Sequence, residues 1–511
     1  MVSGNPYTHF PGDYNLRKIE IITAAGKPLE LRMGSVGELN IYEDIESNAL
    51  TGSAVITDSN NIISNLPFQG LERIAFKLST PGAGSDMISS VDASQETGHP
   101  FHIYALTDRK IMTENVMSYT IHFGSRELMR NTRTRVSQAY DGELHLSALQ
   151  ILRDSNGLDS QKRFTYEPTR NQDKFVMPNV RPFDAINILS TKALSGNANG
   201  AGYYFYETTK GFHFRSYESM LSLQGRYARD EIVTLKYEPR QLPRSNGKRD
   251  FENQHNVESY EFLQHFDTLT QQAMGTYASR VITHNLYDKS YNIEDYSYHD
   301  RYFDFFHTDK IGSMKHRNYA VSDSPVDHDP KYGGNVPGRI GDKTVSDYPD
   351  SNVMLQGSTR FLHGDNTGMF GTDPQSEGLT EAIRISQENQ VSNSSILKIV
   401  MPGHSYLQAG DVIYFELPSH ERNKESRLGY GFDEFHSGRY LIKKLRHRVI
   451  RSGYQLVLEC IKDSVRTPLD GIRNAPYPGS KPKVGRTIDL YTDDRGKIGM
   501  KSSPGHPANK P

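Results

Sequence analysis

Short runs in which apolar and polar residues alternate recur along most of the chain, and this period of two predicts strands. Residues 17–22 alternate, and Ala25-Gly26-Lys27 offers a hairpin turn before a second run over 29–33. Asn60 and Asn61 punctuate a short apolar segment, Ile62 and Ile63, and residues 83–98 read as a Gly-, Ser- and Asp-rich loop. Helical spacing appears in a few places only. Ser125 follows a strand ending at Phe123 and is predicted to cap a helix with its hydroxyl. Leu128, Thr132 and Val136 share one face of that helix. A second helix is expected over 148–153, ended by Asn156-Gly157. A third starts at Pro182, where a missing N–H is harmless, and carries Phe183, Ile186, Leu189 and Ala193. A hairpin follows, 203–206 with 212–215, with Gly211 supplying positive φ. Residues 143–225 therefore read as a small α+β domain.

Four strand-like blocks occur twice in the same order. Residues 38–42 and 50–57 resemble 258–262 and 274–283. The stretch 70–81 resembles the one that starts at Ala409: Glu72 falls on Asp411, Ile74 on Ile413, Phe76 on Phe415 and Leu78 on Leu417. The strand pair 101–106 and 119–123 resembles 437–442 and 454–459. We read two copies of one β module, with a long insertion between the second and third blocks of the second copy. The expected division is a first tube-like β-barrel module over 1–142 and the α+β domain over 143–225. The second barrel module starts over 226–304 and resumes over 386–466. A loop-rich insertion over 305–385 interrupts it, closed by a short helix near 380–386, and an extended C-terminal arm covers 467–511. The fold class is mainly β with α+β parts.

Composition narrows the function classes. The chain has 511 residues, Lys plus Arg 59 against Asp plus Glu 61, and a net charge of -2, so it exerts no bulk pull on DNA or an acidic membrane. This disfavours a single-strand nucleic-acid binder, which needs a basic groove among its aromatics. Tyr is abundant at 30 and Trp absent, which suits half-buried strands and interfaces. The one cysteine, Cys460, excludes an intrachain disulfide and is expected to be a small buried hydrophobe. The start lacks a signal-peptide pattern, and no apolar run reaches the ~18 residues of a membrane span, so no membrane insertion is expected.

Candidate chemistry is thin. His299, Asp300, Asp304, His307 and Asp309 cluster in sequence, as do Asp327, His328 and Asp329. Such groups can hold a divalent metal or move protons, but the spacing matches no ligand motif, and neighbours on an extended chain point to opposite faces. Gly196, Gly200 and Gly202 lack the Lys-Ser/Thr of a phosphate loop and read as a flexible connection. Arg126, Arg130 and Arg133 on the first helix read as a solvated face or a subunit contact. No catalytic, cofactor-binding or metal residue is assigned, and no enzyme activity is expected. The alternative kept open is an enzyme, a glycan or peptidoglycan hydrolase, whose carboxylate pair is defined by distance in space rather than by sequence.

Residues 42–52, 66–70, 119–123 and 437–442, with the order β module, α+β domain, interrupted β module, resemble the central baseplate hub proteins of contractile-tailed bacteriophages, a family shared with related injection systems. The resemblance covers roughly residues 15–465. It implies a structural homotrimer with two tube-like barrels per subunit. The trimer joins a hexameric tail tube to a trimeric spike, meets baseplate wedge proteins, and encloses a channel through which DNA passes without specific binding. It implies a place in the virion tail baseplate after assembly in the host cytoplasm. A polar or acidic channel surface is expected, so that DNA slides. The 305–385 insertion and the C-terminal arm depart from the family pattern.

Overall fold

A computed structural model describes residues 11–65, 68–81, 90–96, 98–222, 232–237, 254–284, 289, 291–309, 345–357, 377–418, 433, 435–465, 488–492 and 498–502. Over these the protein is mainly β with α+β parts. Asp327, His328 and Asp329 lie outside the described residues.

The first β region holds β1 (Asn15–Ile22), β2 (Pro28–Leu31), β3 (Val36–Asp44), β4 (Thr51–Asp58), β5 (Arg73–Ser79), β6 (Ser90–Asp92), β7 (Phe101–Thr113) and β8 (Val116–Gly124). The alternation seen in sequence sends Ile21, Ile41, Ile56, Ile74, Phe76, Ile121 and Phe123 into one core. Gly52 in β4 is dictated by packing: a Cβ there would lie 2.3 Å from the Phe123 ring and 2.5 Å from the Asn40 carbonyl oxygen. Ile62 and Ile63 open a short helix, Ile62–Asn65.

The α+β part pairs β9 (Ala139–Glu143) with β11 (Gln172–Val176), and orders β10 (Phe164–Tyr166), β13 (Gly211–Ser216) and β12 (Tyr203–Thr208) into a second small sheet. Helices Leu144–Arg153 and Pro182–Lys192 cover it through Leu144, Ile151, Phe183, Ile186 and Leu189. Gly211 has φ +126°, as the hairpin turn requires. Ser125 does occupy the N-cap of the helix Arg126–Arg133, but its side chain makes no capping bond. The first of the two covering helices starts at Leu144, one turn earlier than its sequence signal.

The second β region contributes β14 (Val233–Tyr237), β15 (Asn256–Val257) and β16 (Ser259–Gln264). A separate sheet of β17 (Ala278–His284), β18 (Tyr291–Ser297) and β19 (Val353–Gly357) follows, covered by the helix Glu377–Asn393, much longer than expected. Then come β20 (Ser395–Pro402), β21 (Val412–Glu416), β22 (Gly438–Ile450) and β23 (Gly453–Lys462). Near the C-terminal end β24 (Ile488–Thr492) pairs antiparallel with β25 (Ile498–Ser502).

Neighbour order repeats between the two β regions. The first runs β1-β5-β7-β8-β4-β3 and the second β14-β21-β22-β23-β20-β16. A β-bulge follows Ile103 in β7, and another follows Ile442 in β22. The Ile103 N–H donates to the Glu72 carbonyl at 2.9 Å, and the Ile442 N–H donates to the Asp411 carbonyl at 2.9 Å. The Glu72 carboxylate accepts from the Gln69 N–H, and the Asp411 carboxylate accepts from the Gln408 N–H, three residues back in both cases. The copies differ in strand direction at one end: β1 runs antiparallel to β5, whereas β14 runs parallel to β21.

Two of the four sequence matches need correction. Of residues 274–283, matched to β4, the part from Ala278 on lies in β17 in the separate sheet, and β20 takes the place of β4. The insertion therefore falls between the first and second blocks of the second copy. In the first block, Glu38 sits opposite Val55, and the residue in its place is Ser259, opposite Val400, rather than Glu258. Similar runs of Val, Ile and Thr fit any strand, so local composition cannot distinguish β17 from β20.

Candidate functional site: the joint between the β regions

β22 is long enough to serve two partners along one edge. Its first residues pair with β21, from Val412 opposite Leu441 to Phe415 opposite Gly438. Beyond the bulge, the same edge pairs with β3, from Lys444 opposite Asp44 to Ile450 opposite Glu38. This antiparallel joint fuses both β regions into one sheet, 15-stranded among the described residues. Leu39, Ile41, Leu445 and Val449 bury the inner face of the joint.

Its outer face is ionic. The Glu38 carboxylate accepts from Arg446 at 2.7 Å and Arg448 at 3.1 Å, and Arg446 Nε donates to Asn40 Oδ1 at 2.9 Å. Burial opposes ionisation of Glu38, but the two guanidinium groups and Asn40 hold its carboxyl below the ordinary range. The Arg446 guanidinium stands 5.7 Å over the Tyr42 ring.

Glu43 marks where three parts meet. It accepts from the Thr209 N–H at 2.7 Å and the Ala409 N–H at 2.8 Å, and lies 3.6 Å from His447 Nε2. Burial pushes its carboxyl up, and His447 and the two amides outweigh that and hold it low. His447 Nδ1 lies 2.6 Å from the Tyr454 hydroxyl. A second buried ionic group sets Lys162 between Glu127 (2.7 Å) and Glu207 (2.6 Å), and Glu207 also accepts the Leu50 N–H.

The residues singled out in sequence have structural partners. His307 Nδ1 lies 2.7 Å from Asp463, and the Thr308 N–H and hydroxyl both donate to that carboxylate. Burial opposes ionisation of Asp463, but His307 and Thr308 hold its pKa at about 2. Asp309 pairs with buried Lys462 at 2.8 Å and accepts the Arg439 N–H. This cluster pins segment 305–309 to the end of β23. His299, Asp300 and Asp304 are not part of it; they lie in the short helical stretch Tyr298–Asp304. Among the described residues no group of three or more His, Cys, Asp or Glu side chains could hold a metal ion. Arg126 and Arg130 stay partly exposed to solvent, and both clamp Asp159 and the carbonyls of its loop. Arg133 is exposed. The Gly-rich connection is packed tight rather than slack: a Cβ on Gly200 would meet Glu218 at 2.3 Å. Cys460 is fully buried in β23, and burial pushes its thiol up. Among the described residues no helix is long and apolar enough to cross a membrane.

The geometry defines a class: a chain built around two β regions of like topology, fused edge to edge and braced by an α+β part. The chain is similar, at 18% identity over 430 residues, to the "Probable baseplate hub protein gp334" of Vibrio phage KVP40, covering 84% of this chain and 90% of that one. No protein-family model matches it. Among solved structures it is similar to a tail protein of Neisseria meningitidis MC58, with 10% identity, TM-score 0.45, and 88% and 97% of the two chains covered. It is also similar to a 43 kDa tail protein of prophage MuSo2 from Shewanella oneidensis, with 9% identity, TM-score 0.43, and 88% and 98% covered. The hub resemblance read from the sequence and the name of the curated relative coincide.

Proposed function

We propose that the chain is a structural baseplate hub subunit of a contractile phage tail, a component of the virion. The observation that carries this reading is the repeated strand order with its edge-to-edge joint. Two like modules per chain let three chains present six similar modules around one axis. Such a homotrimer offers a near-sixfold face to a hexameric tail tube and a threefold face to a trimeric spike. The similarity to a probable baseplate hub protein along most of both chains supports the same reading. In this role the chain needs no cofactor and no catalytic centre. Wedge proteins would meet the outside of the ring, and DNA would pass through its channel unbound.

The domain division we propose keeps two β-barrel modules, the α+β domain, the inserted region and the C-terminal arm. β17 and β18 go with the inserted region because their sheet holds β19.

The test is the solution mass of the purified chain by light scattering, alone and with the tail tube and spike proteins of the same phage. Three times the 57.8 kDa chain mass is expected. A monomer under all these conditions contradicts the reading, and hydrolysis of peptidoglycan by the pure chain would replace it.

A further inference from the structure

Two buried carboxylates converge on one amine at Lys162. Its ammonium donates to Glu127 Oε2 at 2.7 Å and to Glu207 Oε1 at 2.6 Å. The site is dry: the side chains of Lys162, Glu127 and Glu207 are 10%, 2% and 0% exposed. One amine cannot balance two carboxylates, and an unbalanced charge in the interior is costly, so one carboxyl keeps its proton. Burial pushes the Glu207 carboxyl up, and Glu127 adds to this against the pull of Lys162. Glu127 goes the other way: burial raises it, but Lys162 and Ser160 outweigh that and hold it low. The two carboxyls are thereby split into a neutral acid and a charged base.

Each member is held by a different element. Glu127 lies in the first turn of the helix Arg126–Arg133, and its Oε1 accepts from the Ser160 hydroxyl at 2.7 Å. Glu207 lies in β12, and its Oε2 accepts from the Leu50 N–H at 2.9 Å. Lys162 comes just before β10, with its Nζ 5.7 Å from the centre of the Phe212 ring. An amine, a neutral carboxyl whose far oxygen is polarised by a backbone N–H, and a carboxylate base are thus in hydrogen-bond contact. Those are the parts an amide condensation needs: a nucleophile, an activated carbonyl and a proton acceptor. A site that excludes water favours the amide over its hydrolysis.

We propose that Lys162 and Glu207 condense into an intramolecular amide, with Glu127 as the proton carrier. Glu127 takes a proton from the Lys162 ammonium, and the freed electron pair on Nζ attacks Glu207 Cδ. Charge gathers on Oε2, where the Leu50 N–H receives it. Glu127 gives its proton to the Oε1 hydroxyl as the Cδ–Oε1 bond breaks, then takes the remaining excess proton from nitrogen. The products are the Nζ–Cδ amide, one water and a neutral Glu127, so the buried charges disappear together. No oxidant or cofactor enters the balance. Burial opposes the charge on Lys162, but the two carboxylates outweigh it and keep the amine protonated. The reaction is therefore slow, follows folding and happens once per chain. The bond would join β12 to the segment before β10, 45 positions apart, and lock the α+β part covalently. The proposal does not depend on the hub reading.

The test is the intact mass of the folded full-length chain after prolonged incubation, followed by peptide mapping. The chain is expected to be lighter than its sequence by one water, and trypsin to release a branched peptide that carries both Lys162 and Glu207, uncut at Lys162. Glu127→Gln keeps a hydrogen-bonding side chain there but cannot take the proton. It is expected to show the parent's circular dichroism and its own full sequence mass, with the branched peptide lost. Lys162→Arg keeps the charge and should likewise give no branched peptide. A folded parent of full sequence mass, or a water loss mapped to another place, overturns the proposal and leaves Lys162 as an ion-pair partner only. A branched peptide from Glu127→Gln overturns the role given to Glu127. None of these outcomes bears on the light-scattering test of the hub reading.

Discussion

At the scale of single residues, the buried ionic groups hold the parts of the chain in one arrangement. Asp463 has a folded pKa of about 2 against an ordinary 3.8, so its contribution is complete above pH ~4 and is lost as the pH falls through about 2. Asp463→Asn is expected to destabilise the chain by ~3 kcal/mol at neutral pH, because it strands His307 and Thr308 in the interior. Denaturant titration of both proteins should find that gap at pH 7 and a smaller one near pH 2. An equal gap at both values would mean that the carboxylate charge is not what matters there. Gly52 gives a second residue-scale prediction. Gly52→Ala forces a Cβ into the Phe123 ring and the Asn40 carbonyl and should cost ~2 kcal/mol or more, read as a lowered thermal midpoint. Neither cost is visible in sequence, since Asp463 and His307 are 156 positions apart and only the fold brings them together.

At the scale of elements, the sequence was legible where a strand pair carries its own turn. Gly70–Pro81 and the stretch from Ala409 align position for position, down to the bulge that follows Ile103 and Ile442. Their signature is local: an acidic residue that closes its own turn, then alternating apolar positions. The place of β4 in the second copy was not legible. β17 and β20 both read as Val- and Ile-rich strands, and pairing with β23 decides between them across a long insertion. The helix Glu377–Asn393 is longer than its apolar pattern predicts because polar residues interrupt its inward face between Ile383 and Val391. Ser386 and Gln390 face the Tyr296 and Tyr298 hydroxyls there, so apolar periodicity alone could not find it. The joint itself was illegible, since nothing local says that β22 will take β3 as a partner. A prediction belongs to it. Glu38→Gln removes the charge that holds Arg446 and Arg448 and should lower stability by ~0.5–1 kcal/mol, an effect that shrinks in high salt. No salt dependence in the difference between mutant and parent would assign that face of the joint to packing alone.

At the scale of the whole molecule, the near-zero net charge is compatible with a protein that works through broad contacts rather than through a chemical site. The braced pair of β regions makes each chain a rigid two-module segment, with Glu43 and Lys162 fixing both modules to the α+β part. Three such segments form the proposed ring. The measurement that tests this most directly is electron microscopy of the assembled chain viewed down its axis. The account predicts a ring of six similar lobes contributed by three copies, with the α+β parts and inserted regions following threefold symmetry only. An assembly with no sixfold component at the ring face, or particles of single chains under every assembly condition, would contradict it.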